Sequence, residues 1–320
     1  MTVLFVFNSN KIIGRGHESR CMNIVNDLEL MGCNIHLATS SESRISTDNL
    51  SKFSSILYFD FKDELFEFLK KHPKKYKSIV IDNYDFILDD LIKASSSHSI
   101  YKFELTPDPK EDRIKFINFN PSFEGKSDFH CFGPKFFPFK KEFLDIKTKK
   151  VENKNSMLIF FGGGDNSYLI SRYFEYFKFL HQEGLELNIV VTRFYSNLKK
   201  LKKSMEFINF VKEPTDIAKL IKENSFCFIS GGTIVYECIF LAKVPQVISI
   251  ADNQVNQCVS FDEIGNIRYL GQHDEISSNE LIIDFKLNSS IYLQNTKNSS
   301  FKNLNFKKNI LAKEILNGFK

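Results

Sequence analysis

The sequence predicts an α/β protein of two halves, each a parallel sheet with helices on both faces. Three observations carry that expectation. Short apolar runs alternate with segments of helical spacing from Thr2 to Ile117, and again from Met157 to Ser249. Several of these runs end in glycine-rich or polar turns that open a helix, the side on which open α/β sheets bind ligands. Between the halves, residues 132–156 hold Pro134, Pro138 and the run Lys147-Thr148-Lys149-Lys150. That shift in composition is a linker signal and divides the chain into 1–145 and 146–320.

In the first half, Thr2 to Phe7 reads as a buried strand and Cys21 to Leu28 has helical spacing. The stretch between them, Asn8 to Arg20, therefore holds a strand-to-helix turn with Gly14 and Gly16. His17 falls in the first turn of the helix. Gly-x-Gly-His-x-x-Arg in such a turn is uncommon by chance, and histidine is the side chain that takes up a proton near neutral pH. Strands follow at Asn34 to Ala38 and Ser55 to Phe59, and a short helix at Asp63 to Lys70. The next apolar run, from Ser78, ends in Asp82-Asn83-Tyr84, which places Asp82 and Tyr84 at a strand's carboxyl end. Asp82 can serve the site or cap the helix Ile87 to Ala94. Ser99 to Phe103 and Ile114 to Ile117 complete this half.

In the second half, the strand Met157 to Phe161 leads through Gly162-Gly163-Gly164 into a helix from Tyr168 to Leu180. Strands at Leu187 to Val191 and Phe207 to Phe210 precede a helix at Ile217 to Glu223, which Thr215 or Asp216 can cap. The strand Phe226 to Ile229 then meets Ser230-Gly231-Gly232-Thr233 and the helix Ile234 to Leu241. Two glycines there let the backbone approach a ligand, and amides at a helix start suit a phosphate. Glu237 lies one helical turn beyond Thr233, where a carboxylate can accept from a ribose diol. After the strand Gln246 to Ser249 come Asp252, Asn253 and Gln254, placed to orient a substrate. The tail, polar from Lys286, ends in an amphipathic helix at Ile310 to Leu316.

Composition narrows the function. A net charge of +4 with scattered lysines does not call for nucleic acid. No apolar run reaches the roughly 18 residues of a membrane span, and the N-terminal run reads as a strand and not as a targeting segment. The six cysteines form no Cys-x-x-Cys pair and suit free thiols in a reducing cytoplasm. No His/Cys or paired-carboxylate spacing suggests a metal. Neither glycine turn has the Gly-x-Gly-x-x-Gly spacing, and there is no Gly-x-x-x-x-Gly-Lys-[Ser/Thr] loop. No cofactor is expected.

These motifs resemble the UDP-sugar hydrolase family of the pseudaminic acid pathway, which removes UDP from UDP-2,4-diacetamido-2,4,6-trideoxy-β-L-altropyranose. The resembling segments are Ile13 to Cys21, Val80 to Tyr84, Gly133-Pro134-Lys135 with Glu142-Phe143, Phe161 to Asp165, Ser230 to Thr233 with Tyr236-Glu237, and Ala251 to Gln254. The Ser-Gly-Gly-Thr…Glu part is shared with GT-B glycosyltransferases. The resemblance implies a GT-B-like fold, two Rossmann-like domains facing each other across a cleft, with UDP mainly on the second. His17 matches the base for the attacking water, and Tyr84 and Asn253 match residues near the reacting centre. Gly231, Gly232 and Thr233 match the diphosphate turn, with Ser230 beside it, and Glu237 the ribose ligand. Phe210-Val211 stands where backbone reads uracil. Gly14, Gly16, Arg20, Asp82, Gly163, Gly164, Asp252 and Gln254 complete the expected binding set. Tyr101 to Thr106 stands where the family carries an Asp-Asp pair, and the usual tryptophan after the tyrosine motif is absent, so the sugar itself is less closely specified than the chemistry.

The implied reaction is a metal-independent, inverting attack of water on C1. A glycosyltransferase with an acceptor in place of water, and a non-catalytic nucleotide-sugar binder, are the competing readings.

Overall fold

A computed structural model describes residues 1–10, 16–60, 62–95, 97–146, 154–214, 216–294 and 304–319. The chain forms two compact units, Met1–Pro138 with Asn305–Lys320, and Phe139–Leu304.

The first unit runs β1 (Thr2–Phe7), α1 (Gly16–Leu30), β2 (Asn34–Thr39), α2 (Thr47–Leu50), β3 (Ser55–Tyr58), α3 (Lys62–Lys71), β4 (Ser78–Asp82), α4 (Leu88–Ser95), β5 (Ser99–Phe103), β6 (Lys115–Asn118) and β7 (Cys131–Phe132). All strands pair in parallel in the order β3-β2-β1-β4-β5-β6-β7. Helices cover both faces of such a sheet, so its central strands are apolar throughout, not alternating: Val3 to Phe7 and Ile79 to Ile81 are all buried. The strand order reverses between the parallel neighbours β1 and β4, which makes the carboxyl ends of these two strands the switch point where doubly wound sheets hold ligands.

The second unit runs α5 (Lys141–Ile146), β8 (Lys154–Phe160), α6 (Ser167–Arg172), α7 (Phe174–Gln182), β9 (Glu186–Val191), α8 (Leu198–Ser204), β10 (Ile208–Lys212), α9 (Ile217–Glu223), β11 (Asn224–Ser230), α10 (Ile234–Phe240), β12 (Gln246–Ser249), α11 (Asp252–Glu263), β13 (Arg268–Gln272) and α12 (Ser278–Gln294). Its sheet is also parallel, in the order β10-β9-β8-β11-β12-β13. Here the switch point lies between β8 and β11, which are followed by the Gly162 and Gly231 turns.

Three expectations are corrected. The C-terminal helix α13 (Ile310–Asn317) belongs to the first unit and not to 146–320. It buries Leu311, Ala312 and Ile315, Ser78 Oγ donates to the Ile315 carbonyl at 2.6 Å, and Lys115 pairs with Glu314 at 3.0 Å. The division between the units falls at Pro138/Phe139 and not at 145/146, with Phe136, Phe137 and Phe139 buried around it; the run Lys147 to Lys150 lies outside the described residues. The helix expected over Tyr168 to Leu180 breaks at Tyr173, whose hydroxyl donates to the His273 carbonyl at 2.9 Å.

Candidate active site

At the first switch point, β1 and β4 pair with Phe7 opposite Asp82. The chain leaves β1 at Asn8, whose side-chain oxygen accepts from the Ser40 amide at 2.9 Å, and α1 begins at Gly16. His17 and Arg20 are one helical turn apart on α1 and both reach Asp82. His17 Nδ1 lies 2.6 Å from Asp82 Oδ1. An ionised carboxylate only accepts hydrogen bonds, so Nδ1 carries the proton and Nε2 is the basic nitrogen of the neutral ring. Arg20 donates to both Asp82 oxygens through Nε and a terminal nitrogen, and its guanidinium lies 4.7 Å from the centroid of the Phe103 ring. The Asp82 side chain is fully buried. Burial alone would raise its pKa; the Arg20 charge and the hydrogen bonds from Arg20 and His17 hold it well below the usual carboxylate range. Tyr84 packs edge-on against His17, ring centroids 5.1 Å apart, and is 40% exposed.

Beneath this pair sits Glu18, 1% exposed. It accepts from Ser9 Oγ at 2.7 Å, Asn49 Nδ2 at 2.6 Å and the Ser46 amide at 3.3 Å. It ties the start of α1 to the end of β1 and to the loop before α2. Glu18 stands in the motif, but sequence pattern gives no sign that it points inward.

At the second switch point the two glycines of Ser230-Gly231-Gly232-Thr233 do different things. A Cβ on Gly231 would sit 2.4 Å from Cys258 Sγ and 3.1 Å from Gln254 Cβ. Its amide donates to the Ile248 carbonyl at 2.9 Å, and its carbonyl accepts from Gln257 Nε2 at 3.0 Å. Gly231 is therefore required by α11 packed against the turn, and its amide is not available to a phosphate, contrary to the expectation. Gly232 has nothing within 4 Å of an added Cβ. Gln254, expected to meet substrate, accepts from the Ile250 amide at 3.0 Å, and Gln257 accepts from Tyr236 Oη at 2.9 Å. Gln257 lies one turn beyond Gln254 on α11 and is a residue the sequence reading missed. Asp252 and Asn253 are exposed in the first turn of α11.

Glu237, on α10 one turn past Thr233, is 9% exposed. Its pKa is pushed up to about 7, by burial first, with Lys140 lowering it and Glu142 raising it. In the other glycine turn, Gly162 takes φ +90°, a region open to glycine, facing Ser230 Oγ. The Gly164 carbonyl accepts from Thr192 Oγ1 at 3.4 Å. Phe210 and Val211 do not form a loop: they are paired within the edge strand β10, opposite Ile189 and Val190. Asp216 caps α9, accepting from the Lys219 amide at 2.8 Å; Gly14 and Thr215 lie outside the described residues. Gly16 opens α1 and is exposed. The structure thus brings His17, Arg20, Asp82 and Tyr84 together in the first unit, and Ser230 to Thr233, Glu237, Gln254 and Gly162 to Gly164 around one switch point in the second.

No family model matches the sequence. An uncharacterized protein of Methanocaldococcus jannaschii is 25% identical over 291 residues, 81% of this chain, which spans 57% of that protein's length. Among solved structures, Acinetobacter baumannii MurG superposes with a TM-score of 0.68 at 11% identity, over 99% of both chains. The UDP co-structure of S. aureus MnaA gives 0.61 at 13%, over 99% of this chain and 95% of that one. The M. jannaschii UDP-GlcNAc 2-epimerase in complex with UDP-GlcNAc and UDP gives 0.59 at 12%, over 99% of both. These likenesses and the two doubly wound sheets define the class: a two-domain α/β protein with the GT-B fold. No described helix is long and apolar enough to cross a membrane.

Proposed function

We propose that this protein is a UDP-sugar hydrolase that cleaves a UDP-linked 2,4-diacetamido-2,4,6-trideoxyhexose to free sugar and UDP, in the biosynthesis of a pseudaminic-type nonulosonic acid. The observation that supports it most is the His17–Asp82 pair at the first switch point, a base whose tautomer is set by a buried carboxylate. A water oxygen bonds to C1 as the bond from C1 to the UDP oxygen breaks. The bonding pair leaves with UDP, and the water's proton passes to His17 Nε2. Attack from the face opposite UDP inverts the anomeric centre. Tyr84, beside the imidazole, and Asn253, exposed on α11, contact the sugar.

The second unit supplies the nucleotide site. The amides of Gly232 and Thr233, which make no hydrogen bond among the described residues, face the diphosphate. Glu237 takes the ribose diol. The leaving group needs no side-chain acid, so no second carboxylate of the glycosidase kind is called for, and no metal enters the step. Likeness to proteins solved with UDP or UDP-GlcNAc is consistent with this nucleotide.

The test is incubation with the UDP-sugar and no acceptor, following free UDP and the anomer of the released sugar by NMR. Equal release of UDP and inverted sugar supports hydrolysis. UDP release that waits on an added acceptor supports a glycosyltransferase instead.

A further inference from the structure

Two neighbouring side chains in the first turn of α1, His17 and Glu18, are held from opposite sides of β1. His17 meets Asp82 at the end of β4. Glu18 reaches toward the β2 side, where one carboxylate oxygen accepts from Ser9 Oγ at 2.7 Å and the other from Asn49 Nδ2 at 2.6 Å and the Ser46 amide at 3.3 Å. These donors belong to one platform. Thr39 Oγ1 donates to the Phe7 carbonyl at 2.8 Å, the Ser9 amide to Ser43 Oγ at 2.9 Å, and the Arg44 amide to the Ser9 carbonyl at 2.5 Å. Ser46 caps α2, its Oγ accepting from the Asn49 amide at 3.3 Å. The chain after β1 and the chain after β2 are thus laced together, and Glu18 docks the start of α1 on both.

Successive residues on a helix point about 100° apart. With His17 held toward β4 and Glu18 toward β2, the first turn of α1 cannot rotate about its axis without breaking one of the two anchors. The hydrogen bond to Asp82 sets the tautomer of the imidazole, but by itself it leaves the backbone beneath the ring free to turn. A base acts only when its nitrogen is aligned with the proton it takes, and about 1 Å of misplacement can cost roughly 10²-fold.

We propose that Glu18 is a positioning residue for the His17 base: it clamps the first turn of α1 to Ser9, Ser46 and Asn49, and so sets where His17 Nε2 points. The inference rests on His17 being the base of the reaction proposed above. It makes the segment from Ser43 to Asn49, which carries none of the residues expected to meet substrate, part of what determines the rate.

The experiment uses the full chain with Glu18→Ala, Glu18→Gln and Asn49→Ala. A glutamine keeps an acceptor for Ser46 and Asn49, and its amide can donate to Ser9 Oγ, so it preserves the clamp without the charge. Asn49→Ala removes one donor from a half-buried position and replaces Glu18→Ala if that variant does not fold. Single-turnover release of UDP from the sugar conjugate is measured beside UDP affinity. The His17 Nδ1 proton is followed by NMR in the nucleotide-free protein, assigned by its loss in His17→Asn. Glu18→Ala should slow turnover by roughly 10–100-fold with UDP affinity unchanged, and its Nδ1 proton should exchange faster with water. Glu18→Gln should recover most of the rate and the slow exchange, and Asn49→Ala should fall between. An Nδ1 proton that exchanges as in the wild type, or turnover that is undiminished, in Glu18→Ala overturns the clamp. So does a Glu18→Gln protein as slow as Glu18→Ala, which would assign the effect to the charge, and so does UDP affinity lost along with turnover, which would mark general damage to the fold. A wild type that releases no UDP from the conjugate overturns the proposed reaction and with it the part Glu18 plays in catalysis; the proton exchange, which needs no substrate, tells that failure from a failure of the clamp.

Discussion

His17 and Asp82 come from opposite sides of one switch point, and their side chains meet at 2.6 Å, Nδ1 to Oδ1. Arg20 fills the remaining capacity of the carboxylate. Asp82 is therefore no free ligand for substrate: it holds the imidazole, and the guanidinium neutralises it. Asp82→Asn should lower turnover by roughly 10²–10⁴, because the ring loses its fixed tautomer. It should also cost about 1–3 kcal/mol of stability, since the half-buried Arg20 guanidinium loses its carboxylate partner. UDP affinity should be unchanged. Thermal unfolding and calorimetry separate the three effects, and a variant as stable as the wild type would contradict the pairing.

Glu237 makes stability fall with pH in the nucleotide-free protein. Its folded pKa of about 7 lies above the ordinary 4.5. Below pH 4.5 the carboxyl is neutral in both states. Between the two values only the unfolded chain ionises, so stability declines, and above pH 7 the full cost of about 3 kcal/mol remains. Glu237→Gln should remove this decline, making the variant more stable than the wild type at pH 8 and no different near pH 4. Unfolding in urea at the two pH values is the check; parallel curves would refute it.

Gly231→Ala should destabilise by about 1–3 kcal/mol, because the new methyl meets Cys258 Sγ at 2.4 Å in a packed turn. Adding Cys258→Ala should recover part of that loss. Gly232→Ala, with open space around its Cβ, should fold as well as the wild type. Equal melting temperatures for Gly231→Ala and Gly232→Ala would show that packing does not distinguish the two glycines.

Much of this was legible in the sequence, and the reasons for the exceptions are physical. Sequence pattern gives β1, β5 and β12 their observed bounds, and β4 its start at Ser78, because central parallel strands are continuous apolar runs. α12 was missed because its apolar residues lie on both sides: Leu281 and Phe285 are buried, whereas Ile283 and Leu287 are exposed, so no single stripe stands out. β13, with Arg268, Gly271 and Gln272 among its five residues, has no apolar pattern to find. The meeting of His17 with Asp82 follows from strand order, which places residues 65 apart in the chain side by side. That Gly231 answers to Cys258 and not to a ligand depends on a helix packing that local sequence does not encode.

The base at His17 is the claim on which the account turns. The most direct measurement is single-turnover release of UDP and free sugar by His17→Asn, without acceptor, beside UDP affinity measured on the same preparation. The account predicts turnover reduced by roughly 10²–10⁴ with UDP affinity within error of the wild type. A His17→Asn protein that binds UDP and still hydrolyses its sugar conjugate at near the wild-type rate would contradict it.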